Sequence, residues 1–208
     1  MFICAYTYQA WIIYNIYDGS SWGGWAKISD TTKIGNQYCS ISAVYMPKLD
    51  EIWLYHMSNK AGWDIFEVIF DGASQTWANQ TIHRATPPTT IFRGASVIRV
   101  DGDPNDLVYL SYIKTSTLDI HVDKYDGASW GLDQYTDTTK TWMATVPYQG
   151  VCSGGTSTIC IMGEEEAGVN KELYFTSDVD SVDCGEAPEE PIVSVGNMVP
   201  LMKTLDLI

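Results

Sequence analysis

Apolar positions in this chain alternate with polar ones in short runs rather than recurring every three or four residues. Two such runs are Ile41-Ser-Ala-Val-Tyr-Met46 and Ala95-Ser-Val-Ile-Arg-Val100. Each leads through a polar turn (47–50 or 101–106) into a second run, 52–57 or 107–112. A loop then opens a third run, Asp64-Ile-Phe-Glu-Val-Ile-Phe70 or Asp119-Ile-His-Val-Asp-Lys-Tyr125. Short runs of β-branched and aromatic residues, bounded by Gly, Pro, Asn and Asp, predict strands. No stretch holds a 3.6-residue apolar period behind a cap, so no substantial helix is expected.

The third runs end in a repeated turn. The copies read YDGSSW from Tyr17, FDGASQTW from Phe70 and YDGASW from Tyr125, with the Asp at 18, 71 and 126, intervals of 53 and 55 residues. Asp-Gly suits a tight hairpin, because glycine tolerates positive φ. Trp22, Trp77 and Trp130 then open a fourth strand and lay their rings on the neighbouring unit. From Ile52 to Asp71 and from Leu107 to Asp126 is 19 residues each, which predicts one shared register across the hairpin. A four-stranded unit of roughly 50 residues, repeated, is the pattern of a β-propeller blade.

A fourth unit is recognisable in the strands 142–147, 158–162 and 171–177, with Asp178-Val-Asp180 in place of the Asp-Gly turn. The first unit begins at a second strand (1–6), followed by a third (11–17) and a fourth (22–28). The chain therefore reads as an all-β propeller of about four four-stranded blades, near 1–30, 39–85, 93–137 and 142–183. Residues 184–208 follow as an acidic, Pro-rich linker and an apolar segment. That segment, 191–208, either closes the ring or adds a strand to another subunit.

The aromatic-Asp-Gly-x-Ser-Trp turn resembles the Asp-box of sialidase-like propellers and the blade turns of propeller lectins. In the Asp-box the Asp and Gly are separated by one residue, whereas here they adjoin. The Asp-box is a structural turn on the rim. The resemblance thus implies a propeller, with Asp18, Asp71, Asp126, Trp22, Trp77 and Trp130 as blade-turn residues, and does not imply an enzyme.

Composition narrows the partners. Hydrophobic residues make up 45% of the 208 and charged residues 18%, enough apolar material for a packed core. A net charge of −14 with only three Arg (84, 93 and 99) excludes a phosphate-binding surface and so nucleic acid. No run of 18 apolar residues predicts a membrane span. The start Met1-Phe-Ile-Cys has no basic stretch of a secretory signal, yet the composition suits an extracellular, virion or cell-surface setting. With five Cys at least one is unpaired within the chain, and Cys152 and Cys160 flank a turn that a disulfide would bridge.

Several residue groups carry candidate chemistry. Asp101, Asp103, Asn105 and Asp106 gather four oxygen-bearing side chains in six residues, a Ca²⁺-type set that also reads as a polar turn. Glu164 to Glu166 form an acidic, solvated loop tip. The three Arg lie within 16 residues, a poor arrangement for the arginine cluster of a sialidase. His56, His83 and His121 show no metal-ligand spacing. Trp11, Trp25 and Trp63 fall outside the repeated turn and are the candidate ligand-stacking aromatics. The expected function is non-enzymatic recognition of a glycan or cell surface through blade-rim loops, without a cofactor beyond a candidate Ca²⁺. A structural subunit docking through its C-terminal strand is the alternative, and a glycosidase-like hydrolase the third.

Overall fold

The computed structural model describes residues 2–8, 11–28, 41–58, 64–85, 92–139, 141–150, 155–165 and 172–183, and these contain strands and no helix. The strands form four small antiparallel sheets. The first holds β1 (Phe2–Tyr8), β2 (Trp11–Tyr17) and β3 (Ala26–Lys27). In the second, β4 (Ile41–Met46), β5 (Glu51–Ser58), β6 (Asp64–Asp71) and β7 (Thr76–Trp77) lie in order, and β8 (Thr81–Arg84) also pairs with β6. The third runs β9 (Phe92–Arg99), β10 (Val108–Lys114), β11 (Asp119–Tyr125) and β12 (Trp130–Asp137). The fourth comprises β13 (Trp142–Gln149), β14 (Thr156–Glu165) and β15 (Glu172–Asp183).

Consecutive sheets pack face to face, as blades do, so an interior sheet needs apolar residues on both faces. In β10, Val108, Leu110 and Tyr112 join the core shared with the second sheet, and Tyr109 and Ile113 the core shared with the fourth. A third cluster, Ile12, Ile28, Leu54 and Val68, joins the first two sheets. Among the described residues no core cluster joins the fourth sheet to the first.

The repeated turn builds itself from its aspartate. Asp18 Oδ1 accepts from the amides of Ser20 and Ser21 at 2.8 and 2.9 Å and from Ser20 Oγ at 2.8 Å. Asp71 accepts from Ala73 and Ser74 at 2.8 and 3.0 Å, and Asp126 from Ala128 and Ser129 at 2.9 and 2.8 Å. These donors, led by the Ser21 amide, pull the Asp18 carboxyl from 3.8 down to about 2. The amides of Ser74 and Ser129 lead the same lowering at Asp71 and Asp126. A lowered folded pKa contributes stability fully above the unfolded value and loses it as pH falls through the folded one. We expect the Asp18 carboxyl carbon to titrate near pH 2 by NMR; a midpoint at the ordinary 3.8 would contradict these hydrogen bonds.

Glycine serves these turns in two ways. Gly127 has φ 94°, and a Cβ there would meet the Asn105 carbonyl oxygen at 2.4 Å. Gly72 lacks the positive φ expected of it; Gln75 carries it instead, at 55°. Gly72 is required by closeness, since its Cβ would lie 2.5 Å from the Asp50 oxygen that its own amide reaches at 2.7 Å.

Trp77 and Trp130 pack on a neighbouring unit as expected, and in both cases it is the preceding one. Trp77 meets Tyr14 edge-on at 5.5 Å, and Trp130 meets Trp53 at 6.4 Å and Tyr55 at 5.9 Å. Of the three turn tryptophans, Trp130 opens a strand, whereas Trp77 ends the two-residue β7 and Trp22 makes an isolated bridge to Tyr17.

Other expectations need correction. Ile52 pairs with Phe70, but it is Val108, not Leu107, that pairs with the equivalent Tyr125, so the two hairpins differ by one residue in register. Equal spacing to the aspartate concealed the slip because turn and loop lengths trade off along the chain. Glu164 and Glu165 are not a loop tip: they pair with Leu173 and Glu172 across β14 and β15. Asp178 to Asp180 is not a turn either, since β15 runs on to Asp183. Cys160 is buried with a free thiol. Cys152, Trp63, Glu166 and the segment 184–208 lie outside the described residues.

Candidate functional site

A cleft of about 340 Å³ opens where the last strand of the second sheet meets the third sheet. Its walls include His83 and Arg84 from β8, Phe92 from β9, Tyr112 and Lys114 from β10, His121 from β11, and Leu132 and Asp133 from β12. Strand alternation puts them there. On β11, Ile120 and Val122 face the fourth sheet, so His121 and Asp123 must face the second. A polar stripe on a buried face is tolerable only with partners.

Those partners form one network around two carboxylates. Asp123, fully buried, accepts from the Asp133 amide at 2.7 Å and the Tyr112 hydroxyl at 3.2 Å, and its Oδ2 lies 3.1 Å from His83 Nε2. Asp133 Oδ1 lies 2.8 Å from His121 Nδ1 and 3.2 Å from the same Tyr112 hydroxyl, while Arg84 Nη2 donates to its Oδ2. Tyr112 has a single proton and bridges two acceptors, so it serves one at a time. Its ring stacks on His121 at 5.7 Å and lies under the Arg84 guanidinium, 5.8 Å away.

A bulge aims Asp133 inward. Between β11 and β12, Val122 pairs with Tyr135 but Lys124 with Gly131, so residues 132–134 loop out of the ladder. Asp133 takes φ 50° there, a conformation Asp tolerates better than most side chains. The excursion turns Leu132, 46% exposed, onto the cleft wall.

The electrostatics fix the protonation states. Burial alone would raise the Asp133 pKa, but the Arg84 hydrogen bond and charge, with His121, bring it below the usual value. Burial first, then the Asp123 charge, drive the Tyr112 phenol far above its ordinary range. At neutral pH the cleft thus holds an ionised Asp133 and a protonated Tyr112. Lys114 makes no ion pair among the described residues and supplies a cation at the mouth.

Of the candidate stacking tryptophans, Trp25 does not line this cleft. It is exposed in the stretch just before β3, while Trp11 begins β2 with its side chain outside the described residues, and Trp63 is outside them altogether. The oxygen-rich turn spends its groups on protein partners, Arg99 serving two of its aspartates. Asp106 faces Arg99 at 3.2 Å and Lys48 at 3.8 Å, Asp103 accepts from the Asn105 amide at 2.6 Å, and Asp101 reaches Arg99 at 3.5 Å. Among the described residues no three acidic, His or Cys side chains converge as a metal would require.

No protein-family profile and no curated protein matches the chain. Among solved structures, it is similar to the NanB sialidase of Streptococcus pneumoniae at TM-score 0.50 and 12% identity, over 84% of this chain and 28% of that one. An exo-β-1,3-galactanase of Phanerochaete chrysosporium matches at TM-score 0.49 and 11% identity, over 87% of this chain and 49% of that one. The chain spans about half or less of the length of these proteins. The sialidase is a β-propeller, and the fold of this chain is of that kind.

Proposed function

We propose that the chain is a non-enzymatic recognition module that binds a glycan in the cleft between the second and third sheets. One observation carries this reading: a concave site joins an exposed apolar wall, Leu132, to fixed polar groups, Arg84 and Asp133, over a buried floor of Phe92 and Tyr112. A sugar ring presents apolar C–H faces beside hydroxyls that both donate and accept, and this lining offers a match for each. The size falls within the range of small-ligand sites. The sialidase fold neighbour is named for activity on a glycan, which accords with the same ligand class.

The network argues for binding over hydrolysis. A glycosidase of the paired-carboxylate kind needs one carboxyl raised in pKa to donate a proton. Here Asp133 is lowered and Asp123 is enclosed by its own partners.

A glycan array probed with the full chain tests the proposal. For the strongest ligand, Leu132→Ala and Lys114→Ala are each expected to weaken binding at least tenfold, or about 1.4 kcal/mol. No binding to any glycan, or binding that both variants retain, would sink it. Release of reducing sugar from the bound glycan would favour the hydrolase reading instead.

A further inference from the structure

The internal boundaries between sheets share a polarity. The turn Trp of one sheet points back at the sheet before it: Trp77 onto Tyr14, and Trp130 onto Trp53 and Tyr55. The receiving face belongs to the preceding sheet. In the second sheet it carries Val44, Met46, Trp53, Tyr55 and Met57, all covered by the third.

Among the described residues both ends of this series are left without a partner sheet. Trp22 stands at the position of Trp77 and Trp130, tied in the same way to the aromatic that precedes the turn: Tyr17–Trp22, Phe70–Trp77 and Tyr125–Trp130 lie at 5.4, 5.1 and 5.6 Å. Yet Trp22 is 54% exposed, because no earlier sheet receives it among the described residues. At the other end, Ile159 and Ile161 of β14 face the third sheet, so Cys160 and Met162 face away. Pairing puts Tyr148 beside Cys160, Val146 beside Met162, and Phe175 on the far side of Met162. Among the described residues nothing covers the outer part of this apolar face, where Phe175 and Leu173 are each 67% exposed and Val146 41%, while Cys160 near its middle is buried.

We propose that the outward face of the fourth sheet docks the first sheet of a second copy of this chain, repeating between molecules the contact that joins the sheets within one. One end offers the turn tryptophan and the other the apolar receiving face, so the two surfaces match each other and not themselves. The association is heterologous, head to tail, and generates a closed ring or a longer series according to the rotation it imposes. The apolar faces that hold neighbouring sheets together inside the chain supply the same driving force here.

Sedimentation velocity of the full 208-residue chain over a range of concentrations tests this. The wild type is expected to populate species of two or more chains, and Trp22→Glu and Phe175→Glu each to reduce it to single chains. Both positions are exposed, so the far-UV circular dichroism of each variant should match the wild type. An equimolar mixture of the two variants is the decisive arm. Each retains one intact surface, so the mixture should form a one-to-one dimer that neither variant forms alone. For a readout independent of the variants, hydrogen exchange of the wild type should slow in 172–175 and 22–27 as concentration rises. A single-chain species at every concentration, association unaffected by either substitution, or a mixture that stays monomeric would each overturn the proposal. Closure of one chain on itself would appear as the first of these outcomes, and docking by a different surface as the second.

Discussion

Replacing Trp53 with Ala is expected to destabilise the fold by about 3–5 kcal/mol, the usual cost of truncating a buried Trp. Trp53 is only 6% exposed and lies where the second and third sheets meet, 4.9 Å from the Tyr125 ring and 6.4 Å from Trp130. Its indole nitrogen also donates to Glu51 at 2.7 Å. Truncation therefore opens a cavity at the boundary, orphans one carboxylate oxygen and frees the turn tryptophan of the next sheet. Urea unfolding followed by far-UV circular dichroism measures the loss. Under 1 kcal/mol would mean that the sheets do not depend on each other through this aromatic cluster.

The second large effect lies beneath the cleft. Asp123→Ala removes the acceptor for the Asp133 amide, His83 and Tyr112. Tyr112 has an alternative in Asp133, but the other two donors are left buried without a partner. At roughly 1–3 kcal/mol for each orphaned donor, about 3 kcal/mol of stability is expected to go. The amide oxygen in Asp123→Asn accepts from some of these donors, so it should cost less. Equal losses in the two variants, read from denaturant midpoints, would show that shape and not hydrogen bonding is what Asp123 supplies.

These two positions were unequally legible in the sequence. Trp53 sits in a run whose residue types announce a strand, and the turns at Asp18, Asp71 and Asp126 announce the repeat. Local chemistry was enough for both: β-branched and aromatic residues mark strands, and Asp-Gly marks a turn whose amides the aspartate collects. The repeat implied that Trp77 and Trp130 pack on a neighbouring unit, and the structure shows that this is the preceding one.

The cleft was hidden for physical reasons. Asp123 meets His83 only because two sheets stack, and no local pattern encodes a contact between residues so far apart. The two clues present were indirect. Asp119-Ile-His-Val-Asp123 alternates, which on a sheet packed on both faces places polar groups against a neighbour. After Trp130, the run Gly-Leu-Asp-Gln-Tyr135 breaks alternation, the mark of the bulge that turns Asp133 inward. The register slip between Ile52 and Val108 had a similar origin, because side chains change face with each residue and spacing to a turn does not fix pairing. The exposed tryptophans drew attention for their residue type, yet Trp25 lies just before β3, away from the cleft.

Amide chemical-shift mapping of the ¹⁵N-labelled chain, titrated with the strongest glycan from the array, tests the central claim most directly. Shifts concentrated at Arg84, Phe92, Lys114, His121 and the 132–134 bulge are the result this account predicts. Shifts confined to the first sheet around Trp22 and Trp25, with the cleft amides unmoved, would contradict it.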